Sequence, residues 1–141
     1  MKIITFGTFD LFHIGHLNML NRCKEYGDYL IVGVSTDELN FSKKNRYPII
    51  KQNDRKEIIK NLKCVDEVFF EDSLELKRSY IKDFKADIFI IGDDWKGKFD
   101  DLNDVCKVIY LPRTDNISTT ELIDLIGKLD KFKNIIKSLN D

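Results

Sequence analysis

The chain has 141 residues, of which 43% are hydrophobic and 33% charged, and its net charge is -1. This describes a soluble globular protein with one domain over residues 1–141, and no apolar run approaches the roughly 20 residues that a bilayer span requires. A charge this close to zero excludes broad attraction to nucleic acid or anionic membrane, so any bound anion must be held locally.

The first residues form a short apolar run, 3–6, which reads as a strand. No basic region, long apolar stretch and cleavage site precede it, so we expect a cytoplasmic protein. GTFDLFHIGH follows at 7–16, with His16 opening a first helix that places Leu17, Leu20 and Cys23 on one face. A second strand is expected over 29–34. The polar, basic, proline-bearing stretch NFSKKNRYPIIK, 40–51, reads as a long mobile loop of the kind that is often functional. Ile58, Ile59 and Leu62 mark a second helix, 67–70 a weaker strand, 73–84 a third helix, and 88–91 and 108–111 two further strands. From Ser118 onward Leu122, Leu125, Ile126, Leu129 and Ile136 recur at helical spacing, predicting a C-terminal amphipathic helical segment, 118–141, broken near Gly127. Its apolar face is expected to pack on the sheet or, in the sharper reading, to meet a partner.

Strands of continuous apolarity are covered on both faces, as in a parallel sheet. Their alternation with helices predicts an α/β fold, a Rossmann-like doubly wound sandwich around a five-stranded parallel sheet, with ligands at the carboxyl ends of the strands. Cys23, Cys64 and Cys106 are odd in number and widely spaced, which argues for core residues rather than a disulfide framework or a zinc site.

Three clusters lie after strands. In GTFDLFHIGH, Gly15 removes a side chain where the backbone enters a helix, so a ligand can approach exposed N–H groups, and imidazole donors at His13 and His16 add to a helix N-terminus that favours anions. A His-x-x-His pair alone is a weak metal signal, with Asp10 the one nearby carboxylate. In RTDNISTTE, Ser118 and Glu121 have capping-box spacing, while Arg113, Thr119 and Thr120 exceed what a cap requires and suit phosphate. In GDDWKGKFD, Gly92 leads into Asp93 and Asp94, which could accept bonds from a ribose, a base amino group or hydrated Mg2+, and Trp95 could wall a nucleoside pocket. Two helix N-termini, each fed by a strand and each carrying phosphate donors, suggest a shared polyphosphate.

These motifs, an HxGH after the first strand and an ISTT before the last helix, are the paired signatures of the nucleotidyltransferase superfamily. Together with VDEV at 65–68, GDDW and RTxxISTT, they resemble the glycerol-3-phosphate cytidylyltransferases over roughly residues 1–125. The resemblance implies transfer of CMP from CTP to glycerol 3-phosphate, with Mg2+ or another divalent cation accompanying CTP, in a homodimer. It implies that His13 and His16 hold the α- and β-phosphates, and that Arg113, Ser118 and Thr119 hold the β- and γ-phosphates. Thr8, Phe9 and Asp10 would position the nucleotide, with Asp10 toward the metal. Gly15, Gly92, Asp93, Asp94, Trp95, Thr114, Ile117 and Thr120 would complete the CTP site. The acceptor phosphate would meet Lys43, Lys44, Arg46, Arg55 and Lys77, with Lys63 standing where the family commonly has an arginine before VDEV. Another small phosphomonoester as acceptor, ATP in place of CTP, and a silent nucleotide-binding protein are the competing readings.

Overall fold

The computed structural model describes residues 1–140. Its five strands, β1 (Lys2–Gly7), β2 (Tyr29–Ser35), β3 (Glu67–Glu71), β4 (Ile88–Gly92) and β5 (Lys107–Leu111), form one sheet of order β3-β2-β1-β4-β5 in which every pairing is parallel. The expected five-stranded α/β sandwich is therefore what the chain forms. The chain starts at the centre of the sheet and winds outward to both edges, which opens a crevice beyond the carboxyl ends of β1 and β4.

Alternation along the central strands builds two cores. Ile3, Leu30, Val32, Val34, Ile88 and Ile90 face α1 (Ile14–Lys24) and α3 (Gln52–Lys60), burying Leu20, Cys23 and Ile59. Ile4, Phe6, Ile31, Phe89 and Ile91 face the other way, onto α4 (Lys77–Phe84) and the 3-10 turn Asp100–Asp104. All three cysteines are buried and free.

Three expectations are corrected. The stretch 40–51 is not one long loop, because α2 (Asp37–Lys44) runs into it, with Thr36 capping by accepting from Leu39 N–H and Asn45 ending it in the left-handed region at φ 56°. Eight residues are too few to show a helical period, so the cap was the only readable sign of it. The first helix begins at Ile14, with His13 as its N-cap residue, two positions before His16. The last helix, α5 (Thr119–Leu139), is continuous through Gly127, and none of its residues is buried. Its apolar face does not pack on the sheet. No helix among the described residues is long and apolar enough to cross a membrane.

A Cβ added at Gly127 would meet nothing within 4 Å. Gly127→Ala is therefore expected to strengthen α5 by up to about 1 kcal/mol of helix propensity. Greater helical ellipticity and slower amide exchange around position 127 would report it.

Candidate active site

The crevice is a cleft of about 380 Å3 at the carboxyl edge of the sheet. One wall is the β1-to-α1 loop. Phe9 and Leu11 both take positive φ, 56° and 48°, a conformation costly for bulky residues that persists only where surroundings enforce it. Asp10 does much of the enforcing. Its buried carboxylate accepts Leu11 N–H (3.1 Å), Ile49 N–H (2.8 Å) and Ile50 N–H (2.8 Å), while its carbonyl accepts the Thr119 hydroxyl (2.7 Å). Thr8 donates to Asn40 Oδ1 at 2.9 Å, tying the same loop to α2.

The loop delivers two histidines that cap their own helix. Gly15 N–H donates to His13 Nδ1 at 3.0 Å, and His13 N–H donates to His16 Nδ1 at 3.2 Å. The rings stack with centroids 3.7 Å apart, and the edge of Phe9 meets His16 at 5.5 Å. With each Nδ1 accepting, each Nε2 carries the proton and is the free donor toward the cleft. Burial first, then the neighbouring His13, Arg113 and Lys44, pushes the His16 imidazole down to about 3. Burial and Arg113 also lower His13. Both are neutral donors at pH 7. Gly15 has a sharper role than ligand approach, since a Cβ there would lie 2.8 Å from His13 Cε1 and 3.2 Å from Ile117 Cγ2. It lets the His13 ring fold over the helix start beside the opposite wall.

That wall is the β5-to-α5 segment. Asn116 turns the chain at φ 63°, and Ser118 caps α5 by accepting Glu121 N–H at 3.1 Å. Thr119 spends its hydroxyl proton on Asp10, so what it offers a phosphate is the unpaired N–H of a first helical turn, while Thr120 also lines the cleft. Asn18 of α1 donates to Thr114 Oγ1 at 3.1 Å, bolting the two walls together, a role nothing in its sequence context announced. Arg113 forks onto Asp94 at 3.1 and 2.7 Å. Trp95 lines the cleft beside Phe99, whereas Asp93 is exposed and does not line it.

At the far end lies a polar network. Glu71 ends β3 fully buried, pairing with Lys77 at 2.5 Å and accepting from the Ser35 hydroxyl at 3.4 Å, while Lys43 donates to Ser35 Oγ at 3.2 Å. Lys77 also sits over the rings of Phe6 (4.6 Å) and Phe99 (5.2 Å). Burial lowers Lys43, Lys44 and Lys77, and in Lys77 it outweighs the attraction of Glu71. Lys44 and Arg46 complete a lining in which Lys43, Lys44, Arg46, Lys77 and Arg113 face Asp10, Glu71 and Asp94. The cleft is thus positive in a chain that is not. Ser35, Asn40 and Glu71 were missed because a short polar residue at a strand end or in a short helix carries no motif.

Besides Asp93, the expected site residues Arg55 and Lys63 lie outside the cleft lining, and Asp10 has a further role. Arg55 is buried and donates to Ile50 O (2.8 Å), Thr8 O (2.7 Å), Ser35 O (2.9 Å) and Asp37 Oδ1 (2.7 Å), so its guanidinium braces the loops from beneath and does not line the cleft. Lys63 precedes β3 and is exposed at the opposite edge of the sheet, because in a parallel sheet only residues after a strand reach the carboxyl edge. Asp10 lines the cleft, and both of its carboxylate oxygens accept backbone N–H groups, which makes it a brace between its own loop and residues 49–50. No cluster of three or more His, Cys, Asp or Glu able to hold a metal occurs among the described residues.

Removing the Arg55 fork would strand three carbonyls and the Asp37 carboxylate. Arg55→Leu is expected to cost about 3 kcal/mol in urea unfolding. A second expectation concerns protons. The unfolded chain binds a proton on His16 below about 6.5, which the folded ring refuses until about 3, so stability falls as pH falls through that window. Between pH 7 and 5 the protein should lose about 2 kcal/mol more than its His16→Gln variant. The His16 ring should not titrate by NMR over the same range.

The cytidylyltransferase-like family model matches residues 4–125. The glycerol-3-phosphate cytidylyltransferase of Bacillus spizizenii is 54% identical over 121 residues, spanning 86% of this chain and 93% of the relative. That of Bacillus subtilis is 48% identical over 128 residues, spanning 91% and 98%. A solved structure, the lipopolysaccharide core biosynthesis protein of Thermoplasma volcanium, matches with a TM-score of 0.71 at 27% identity, over 82% of this chain and 98% of that one. With the domain matched over residues 4–125 and two capped helix N-termini facing one positive cleft, the chain belongs to the cytidylyltransferase-like family.

Proposed function

We propose that this protein is an enzyme that transfers CMP from CTP to glycerol 3-phosphate, giving CDP-glycerol and pyrophosphate. The observation that carries this reading is the pair of helix N-termini across one cleft, joined by Asn18 and Thr114, with Lys43 and Lys77 in a second polar network beside Ser35 and Glu71 at the far end. One end suits a triphosphate and the other a phosphomonoester. Glycerol-3-phosphate cytidylyltransferases about half identical in sequence, matched over 93% and 98% of their own length, support the substrate pair.

In this reading the phosphomonoester dianion attacks the α-phosphorus directly and needs no general base. What it needs is alignment and relief of charge. The Nε2–H groups of His13 and His16 donate to the α- and β-phosphates as negative charge builds, and being neutral they do so without an ionisation near pH 7. Arg113 exchanges Asp94 for β- and γ-phosphate oxygens as pyrophosphate departs. The backbone N–H groups at the start of α5 assist it. Lys43, Lys44, Arg46 and Lys77 receive the acceptor phosphate and screen it from the triphosphate. A divalent cation such as Mg2+ accompanying CTP would supply charge neutralisation on the triphosphate. The enzyme acts as a homodimer in the cytoplasm, and its product supplies activated glycerol phosphate to a teichoic acid or capsular polymer.

Pyrophosphate release tests the reading. CTP with glycerol 3-phosphate should outpace ATP and a panel of other phosphomonoesters, including ethanolamine phosphate, and absence of turnover on that pair would overturn it. His16→Ala is expected to lower kcat by about 100- to 1,000-fold with a smaller change in the KM for CTP. Unchanged turnover would remove the histidine from its role.

A further inference from the structure

Past residue 125, where the family match ends, α5 continues for nearly four more turns that touch nothing. Leu122, Leu125, Leu129, Phe132, Ile136 and Leu139 alternate at spacings of three and four, a heptad seam sustained over 18 residues. Leu122 is half-buried against the body, and the other five are between 43% and 80% exposed. Ile126 and Ile135 widen the stripe at 56% and 58% exposure.

We propose that a second copy of this chain covers the seam, the two α5 helices pairing antiparallel. This deepens the homodimer reading above and rests on it. The stripe is complementary to itself in that orientation. About a centre between Asp130 and Lys131, Leu122 opposes the partner's Leu139, Leu125 the partner's Ile136, and Leu129 the partner's Phe132, so every layer is apolar on both sides. Charge selects the same orientation. A parallel pair would set Lys128 against the partner's Lys133, twice, whereas the antiparallel pair places Lys128 beside the partner's Ile135 and Lys133 beside the partner's Ile126. The lysine stems then cover isoleucine while their ammonium groups reach water. The area is also of the right size. The exposed apolar side chains past residue 124 present on the order of 700 Å2 per copy, near the roughly 800 Å2 per partner of a standard interface and above the patch that monomers usually expose.

Sedimentation of the full chain at micromolar concentration should give twice the chain mass. In Leu129→Lys/Phe132→Lys the dimer dissociation constant should rise at least about 100-fold. A monomeric wild-type chain, whether free or recovered on anionic phospholipid vesicles, would overturn both the homodimer and the seam. A double variant that stays fully dimeric would overturn the seam alone. Orientation has its own readout. Mixed Leu125→Cys and Ile136→Cys chains should form the 125-to-136 disulfide under mild oxidation, the native cysteines being buried. Disulfides only between identical positions would overturn the antiparallel pairing.

Discussion

The architecture of the cleft hangs on the side chain of Asp10. One buried carboxylate gathers three N–H groups from two segments about 40 residues apart, and the carbonyl of the same residue receives the hydroxyl that starts α5. Hydrogen bonds to an ionised acceptor are among the stronger ones, and burial raises the cost of losing them. The positive φ values of Phe9 and Leu11 are the conformational expense of that arrangement. In return the HxGH loop, the 45–51 segment and the ISTT turn are held as one rigid rim. Arg55 performs the complementary task from below, so an Asp and an Arg that both look suited to ligands serve as the frame.

Around this frame the electrostatics divide the cleft. At the end proposed for the triphosphate the donors beside Arg113 are neutral imidazoles and backbone N–H groups, which cost little to bury and can wait in place for developing charge. The far end holds the buried Lys77 and the half-buried Lys43, and their charge is tolerable there because Glu71 pairs with Lys77, Ser35 accepts from Lys43, and the faces of Phe6 and Phe99 supply further negative potential to Lys77. Ammonium groups that have already lost water give up less on meeting a phosphate. The same logic explains why Asp94 is paired with Arg113 across the open cleft, where the guanidinium would otherwise face its own cationic neighbours.

The strands, the positions of His13, His16, Arg113 and Ser118, and the convergence of their two turns were readable from residues, since apolar runs and helix-start motifs are local signals. The roles of Asp10 and Arg55 were not. A carboxylate beside two histidines reads as a metal ligand, and an arginine after a basic loop reads as a phosphate donor, and neither pattern shows the backbone groups that these side chains brace. Helix α2 was hidden because eight residues cannot display a period, and Lys63 was misplaced because its motif neighbours carry no information about which edge of the sheet they reach.

Sequence alone determined the α/β class, the order of the strands along the chain, the motifs of the two helix starts and the apolar stripe of the last helix. Each of these depends on residues within one or two turns of one another. Tertiary structure decided which polar groups remain free to meet a ligand, which are spent on the frame, and that the stripe of α5 finds no cover in its own chain. Those outcomes depend on contacts between segments as far apart as Asp10 and Thr119, where burial and saturation of hydrogen bonds, rather than residue type, assign the role.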